Sequence, residues 1–283
     1  MSARSARQLE TAAARGGGGL DLLHARVALR DRTVSDVLDL ALRFVVVHGR
    51  VYAKVATIAL LPLVALSAVA GWRLGWAASW AIAVPLAAIG EIPFTVLASR
   101  LVFQDRVRAR DVLGASLRDG PKVIFARGLA ALLAAVGLFV LVIPGLWLTI
   151  ISFFLGEVIL LERGSAGQVL GRSHRVASSA GTEVLLGGLV LLLLAIASVL
   201  LADVAGRLVL GELLQFRPPP PVWHQGGSLL ATLGLFLFVP YLATARFFLY
   251  LNVRTRAEGW DIQTRFAAIA ARAKGDATDT RST

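Results

Sequence analysis

Three ionisable side chains lie inside apolar stretches of this 283-residue chain and are the residues best placed to do chemistry: Glu91, Glu157 and Arg246. A charge in the hydrocarbon core costs about 2.5–3.5 kcal/mol on insertion scales, so each is a functional candidate by default. Counted back from the basic ends of their segments at about 1.5 Å per residue, Glu91 and Arg246 lie roughly 10 Å deep and Glu157 roughly 7 Å. Equal depth allows the three to meet as one polar cluster, with Pro93 and Pro240 loosening the helices beside it. Two acids against one base would leave one carboxylate to be protonated or to hold a cation. The plainer alternative is an ion pair that fixes helix register, or acids that snorkel to water.

Other chemistry finds little support. The chain has no Cys, which removes disulfides, thiolate metal sites and cysteine nucleophiles together. His24, His48, His174 and His224 are scattered without metal-ligand spacing. Ser165 and Ser173 fall in a polar loop with no acid-base partner or nucleophile-elbow pattern. The run Gly16 to Gly19 lacks the Lys and the following helix of a phosphate loop and reads as a linker. No cofactor, metal or catalytic residue is therefore expected.

The elements that must position the cluster follow from composition. At 57% hydrophobic and 17% charged residues, with a mean hydropathy of +0.72, the chain carries more apolar surface than a soluble core can bury. Runs of about 20 apolar residues, enough for a core of about 30 Å, occur at 51–70, 76–97, 184–203 and 229–253. The stretch 123–161 is too long for one span, and Ile143-Pro144-Gly145 predicts a tight turn that makes it a hairpin of two. The first arm spans only if Arg127 sits near the cytoplasmic end and snorkels to the headgroups; a re-entrant pair is the alternative. The fold class predicted is an all-α polytopic bundle of about six transmembrane helices with short cytoplasmic interfacial amphipathic helices. Residues 1–31 are expected to be a flexible cytoplasmic tail, 32–262 the six-span membrane domain and 263–283 a second cytoplasmic tail. The first 19 residues lack the apolar core of a signal peptide.

Orientation follows from where Lys and Arg fall in the short loops. Eight Arg lie in residues 1–50, seven basic residues in 99–127, three in 162–183 and six after 253, against Arg73, Arg207 and Arg217 on the other side. Both termini are expected in the cytoplasm. Trp72, Trp76, Trp80, Trp147 and Trp223 all fall near the outer interface of this topology, where indole rings collect. The net charge of +11 thus reflects membrane topology, and no nucleic-acid partner is expected. On the outer side, Arg217 and the four prolines that follow predict a stiff polyproline segment, a spacer or a docking surface.

A weak repeat runs through the chain. Segments 36–43, 111–118 and 168–175 share a V-L-x-x-[AS]-x-R frame, each ahead of an apolar hairpin, which predicts three units of interfacial helix plus helix pair. In the first, Val37, Leu40, Ala41 and Phe44 form an apolar stripe opposite Asp and Arg. Chance repetition of an Ala, Leu and Arg-rich composition is the alternative.

The last span closes on Tyr250, Asn252, Arg254, Arg256, Glu258, Gly259, Asp261 and Ile262. This resembles the Y-x-D-x-R-x-R-x-E-G-x-D-[IL] motif of a family of multi-span bacterial proteins related to the membrane domain of glycerophosphoryl diester phosphodiesterases. Ile143 to Trp147 is similar to that family's I-P-G-[LI]-aromatic turn, and Glu162 with Arg172 and Ser173 to its E…[AL]-x-R-S segment. Asn252 departs from the usual Asp. The resemblance covers about residues 32–262 and implies architecture in the bacterial inner membrane; the catalytic barrel of the enzymatic members has no counterpart here. Arg254 and Arg256 would bind anionic headgroups at about 1 kcal/mol each. Glu258 and Asp261 would pair with Arg of other cytoplasmic loops, so the motif reads as a cytoplasmic lock.

The leading functional expectation is a non-enzymatic module, a scaffold or accessory subunit whose basic helices gather anionic lipid headgroups or a protein partner. The rival is a small transporter or lipid-handling protein that uses the Glu91, Glu157 and Arg246 cluster; an intramembrane enzyme stands third.

Overall fold

The structure, a computed structural model, describes residues 32–104, 107–162 and 166–257. Glu258, Gly259 and Asp261 of the closing motif, and both tails, lie outside the described residues. The elements run α1 (Val34–Val47), α2 (Gly49–Leu74), α3 (Trp76–Phe103), α4 (Ala109–Val140), α5 (Val142–Ser152), α6 (Leu155–Glu162), α7 (Ala166–Ser179) and α8 (Gly181–Leu208). A π-helical turn (Val209–Leu213), α9 (Val222–Gln225) and α10 (Leu229–Ala257) complete the described chain. There is no strand among the described residues. Six helical segments are long and apolar enough to cross a membrane: α2, α3, α4, the α5–α6 pair, α8 with its π-helical turn, and α10. The chain is an all-α polytopic bundle.

Small residues decide which helices form the centre. Ala83, Ala87, Gly90 and Ala98 give α3 a face against which other helices pack closely, and 61% of its apolar window is buried, against 11% for α4 and 17% for α8. Helix α10 matches it with Ala231, Ala243 and Ala245 and packs on α8, α3, α1 and α2. The exposed leucines and valines of α4, α5 and α8 form the apolar outer surface that a bilayer would cover.

The first and last described helices close on each other. Thr33 caps α1 by accepting from the Asp36 N–H, and Val37, Ala41 and Phe44 turn inward at helical spacing. Phe44 meets Phe248 of α10 edge to face, with ring centroids 5.1 Å apart. Leu40, expected in the same stripe, is half-buried at its edge. Asn252 then joins the ends. Its amide accepts from the Arg32 N–H and donates to the Arg32 carbonyl, each at 3.1 Å. Both ends of the described chain therefore lie at one end of the bundle, called here the termini end; the opposite one is the turn end.

Two sequence expectations change. The hairpin break comes at Leu141, in extended conformation, and not at 143–145. Pro144 falls in the first turn of α5, where its missing N–H costs nothing. Gly145 serves close approach, since a Cβ there would collide with the Leu138 backbone of α4. The second repeat unit has no separate interfacial helix: its segment runs unbroken into the span as part of the 32-residue α4. Trp72, Trp76, Trp80 and Trp223 do gather at the turn end. Trp147 of α5 meets His174 of α7 edge to face.

Candidate functional site

The site is built around a helix that breaks. Between α5 and α6 the chain makes a turn at Phe153 and Phe154, and backbone carbonyls there lose their helical donors. Side chains of other helices take them up. Ser173 of α7, buried, donates to the Ile151 carbonyl at 2.5 Å, and the Arg246 guanidinium of α10 donates to the Phe153 carbonyl. The same guanidinium lies over the Phe153 ring, 4.9 Å from its centroid. The break thus supplies Arg246 with a neutral acceptor and an aromatic face before any carboxylate is counted.

Glu91, Glu157 and Arg246 come together here as their depths suggested. Arg246 reaches Glu91 Oε2 at 2.9 Å and Glu157 Oε2 at 3.4 Å. A fourth member, Arg127 of α4, completes the arrangement: it donates to the same Glu91 Oε2 at 2.9 Å and approaches Glu157 Oε1 at 3.4 Å. Its Nη1 also reaches the Ala88 carbonyl of α3 at 3.5 Å. The result is an alternating ring, Glu91, Arg127, Glu157, Arg246, with each guanidinium bridging both carboxylates and each member on a different helix. Glu157 is fully buried and Glu91 nearly so.

Arg127 alters the electrostatic reading. Two acids and two bases balance, so the surplus carboxylate expected from three residues is absent, and with it the need for a proton or a cation. Instead of snorkelling, the Arg127 side chain lies along Gly156, where a Cβ would strike the guanidinium. Its place was legible in principle. Val123, Arg127, Ala130, Ala134 and Gly137 recur at spacings of four and three, one face of a helix, and Val123 and Ala134 are both buried.

Within the closing motif Arg254 departs from expectation. Arg254 is buried, and its guanidinium donates to the Tyr250 hydroxyl at 3.2 Å, so it turns inward and not to headgroups. Arg256 forms an ion pair with Glu183 at the start of α8 and donates to the Arg32 carbonyl at 3.3 Å. Asn252 holds Arg32 through an N–H and a C=O at once, which an aspartate, an acceptor only, could not do.

A second polar cluster at the turn end escaped sequence reading. Asp203, expected as the mere end of a span, is fully buried. It accepts from the Ser228 hydroxyl at 2.5 Å and from the Val222 N–H at 3.2 Å, and pairs with Arg207 at 3.4 Å. Ser228 in turn accepts from the Ala231 N–H and so caps α10. Arg207 lies 4.9 Å from the Trp223 ring centroid, and Trp80 donates to the Gly226 carbonyl at 2.7 Å. The proline segment is thereby pinned to the bundle.

Among the described residues no group of three or more His, Asp or Glu side chains is placed to hold a metal ion. Compared with family models, curated proteins and solved structures, the chain gives no match.

Proposed function

We propose that this protein is a non-enzymatic membrane module, a scaffold or accessory subunit, in which the four-charge ring locks α3, α4, α6 and α10 into one arrangement. The observation that carries this reading is the charge balance of the ring. Each guanidinium is shared between both carboxylates, Arg246 also engages the Phe153 carbonyl, and no net charge remains to bind a substrate ion. A transport site needs groups that can exchange partners, whereas each ring carboxylate here is held by two guanidinium groups.

The basic loops support a cytoplasmic termini end in a bacterial inner membrane, with exposed Arg43, Arg50, Lys54, Arg110, Arg118, Lys122 and Arg175 available to anionic headgroups or a protein partner. The resemblance to the membrane domain associated with glycerophosphoryl diester phosphodiesterases fits an architectural role and carries no hydrolytic one. The test is gentle solubilisation of the native protein and mass spectrometry of what stays bound. A stoichiometric protein partner is the expected result. A retained small molecule or ion, lost on substitution of Glu91 or Arg246 in a variant that still folds, would replace this reading with transport.

A further inference from the structure

The break between α5 and α6 is held open by residues of other helices. The run Thr149-Ile150-Ile151-Ser152-Phe153-Phe154-Leu155 holds neither Pro nor Gly, and Pro144 sits back in the first turn of α5. Ser152 donates to the Leu148 and Thr149 carbonyls, which bends a helix without opening it. Gly156, the second residue of α6, packs against the Arg127 guanidinium. Where Pro is absent, a side chain inserted into the carbonyl ladder is a known cause of a sharp break, and two are inserted here. Ser173 of α7 donates to the Ile151 carbonyl at 2.5 Å, and Arg246 of α10 donates to the Phe153 carbonyl.

The two insertions differ in how firmly they are held. Arg246 is fixed by the ring, through Glu91 at 2.9 Å and Glu157 at 3.4 Å. Ser173 depends on the seat of α7. That helix packs on α5, α6 and α10 with Ser173, Val176 and Ala177 buried, and it sets His174 against the Trp147 ring, with centroids 5.4 Å apart. Its other side, with Gly171, Arg175 and Ser178, is exposed. A neutral hydrogen bond is weaker than the shared charges of the ring, so the α7 side is the one that can open.

Once Ser173 leaves, the Ile151 carbonyl has a substitute in the Leu155 N–H, its partner four residues on in an unbroken α-helix. A carbonyl left unpaired in an apolar bundle is costly, which favours that closure. The Phe153 carbonyl, with two lone pairs, can keep Arg246 and accept a helical N–H as well. We propose that the α5–α6 break is a two-state hinge and that α7 is its latch. Seated, α7 keeps the helix broken through Ser173; lifted, it lets α5 and α6 join and swings α5 relative to the bundle. Because α5 packs along α4, with Gly145 against the Leu138 backbone, the swing passes to the helix that carries Arg127. The position of a surface helix thereby reaches the ring. The device stands on the break itself and does not depend on the scaffold reading.

The chain has no Cys, so two introduced cysteines carry the only spin labels. The test is double electron–electron resonance on the full-length protein in lipid nanodiscs, with labels at Leu146→Cys on α5 and Leu61→Cys on α2, both exposed positions. The otherwise unchanged protein should show one dominant distance. Ser173→Ala should raise a second, discrete distance about tenfold in population, the effect of one lost hydrogen bond. Ser178→Ala, exposed on the same helix, should leave the distribution as it is. If Ser173→Ala fails to fold, Val176→Ala, which loosens the seat of α7 and spares the hydroxyl, should raise the same second distance. A folded Ser173→Ala with the original distribution, or with one that broadens without a second distance, would overturn the latch. So would an unaltered distribution in Val176→Ala where that variant carries the test.

Discussion

The ring and the Asp203 cluster are both charged groups buried in an apolar bundle, yet they are built on opposite plans. Ring partners lie 30 to 155 residues apart and come from four helices. Asp203 finds its partners within 25 residues, and one lies a single helical turn away. The ring therefore clamps the bundle together, whereas the Asp203 cluster shapes one connection. Charge follows the same division: the ring needs four side chains to reach balance, while a single carboxylate with two uncharged donors and one guanidinium suffices at the turn end.

Breaking the ring on one side should have the largest effect. Glu157→Ala leaves two buried guanidinium groups facing one carboxylate, and removing one partner of a buried pair costs about 3–5 kcal/mol. We expect loss of the monodisperse folded species by size-exclusion chromatography in detergent. Removing one acid and one base together sharpens the point. The thermal-stability loss of Glu91→Gln with Arg127→Gln should be smaller than the sum of the two single losses, and simple additivity would show that the ring does not act as a unit.

Asp203→Asn should cost less, about 1–3 kcal/mol, because an amide still accepts one hydrogen bond. Faster hydrogen exchange confined to 209–228 is the expected signature; exchange that spread to α3 and α4 would erase the distinction between clamp and local cap. Gly156→Ala perturbs only the seat of Arg127, and a cost of about 1–3 kcal/mol is expected in thermal unfolding. Asn252→Asp keeps an acceptor for the Arg32 N–H but removes the donor to the Arg32 carbonyl. A loss of about 1 kcal/mol is expected, and unchanged or higher stability would show that this donor does not help to hold Arg32.

The same contrast explains what could be read from sequence. Intramembrane charge is conspicuous in an apolar run, so Glu91, Glu157 and Arg246 stood out, and depth counting put them at one level. Arg127 sits close enough to the basic loop 99–127 to be counted with it, and charge statistics for loops outweighed the face it shares with Val123 and Ala134. Asp203 ends an apolar run, where an acid needs no explanation; only the fold of 209–228 over it reveals that it is buried. The six spans were legible because length and hydropathy determine them locally. The breaks at Leu141 and Phe153 were not, since each depends on what a neighbouring helix offers: the Leu138 backbone against Gly145 in one case, Ser173 and Arg246 in the other.

The spacing of the ring along the chain also sets an order of arrival during synthesis. Glu91 enters the bilayer first, Arg127 follows 36 residues later, and Arg246 comes 155 residues after Glu91. At about 5–20 residues per second the growing chain waits roughly 8 to 30 s for its last helix. During that interval Arg127 is the available counter-charge for Glu91, so the residue that completes the finished ring would also act as escort for a nascent acid that has no other partner in the membrane.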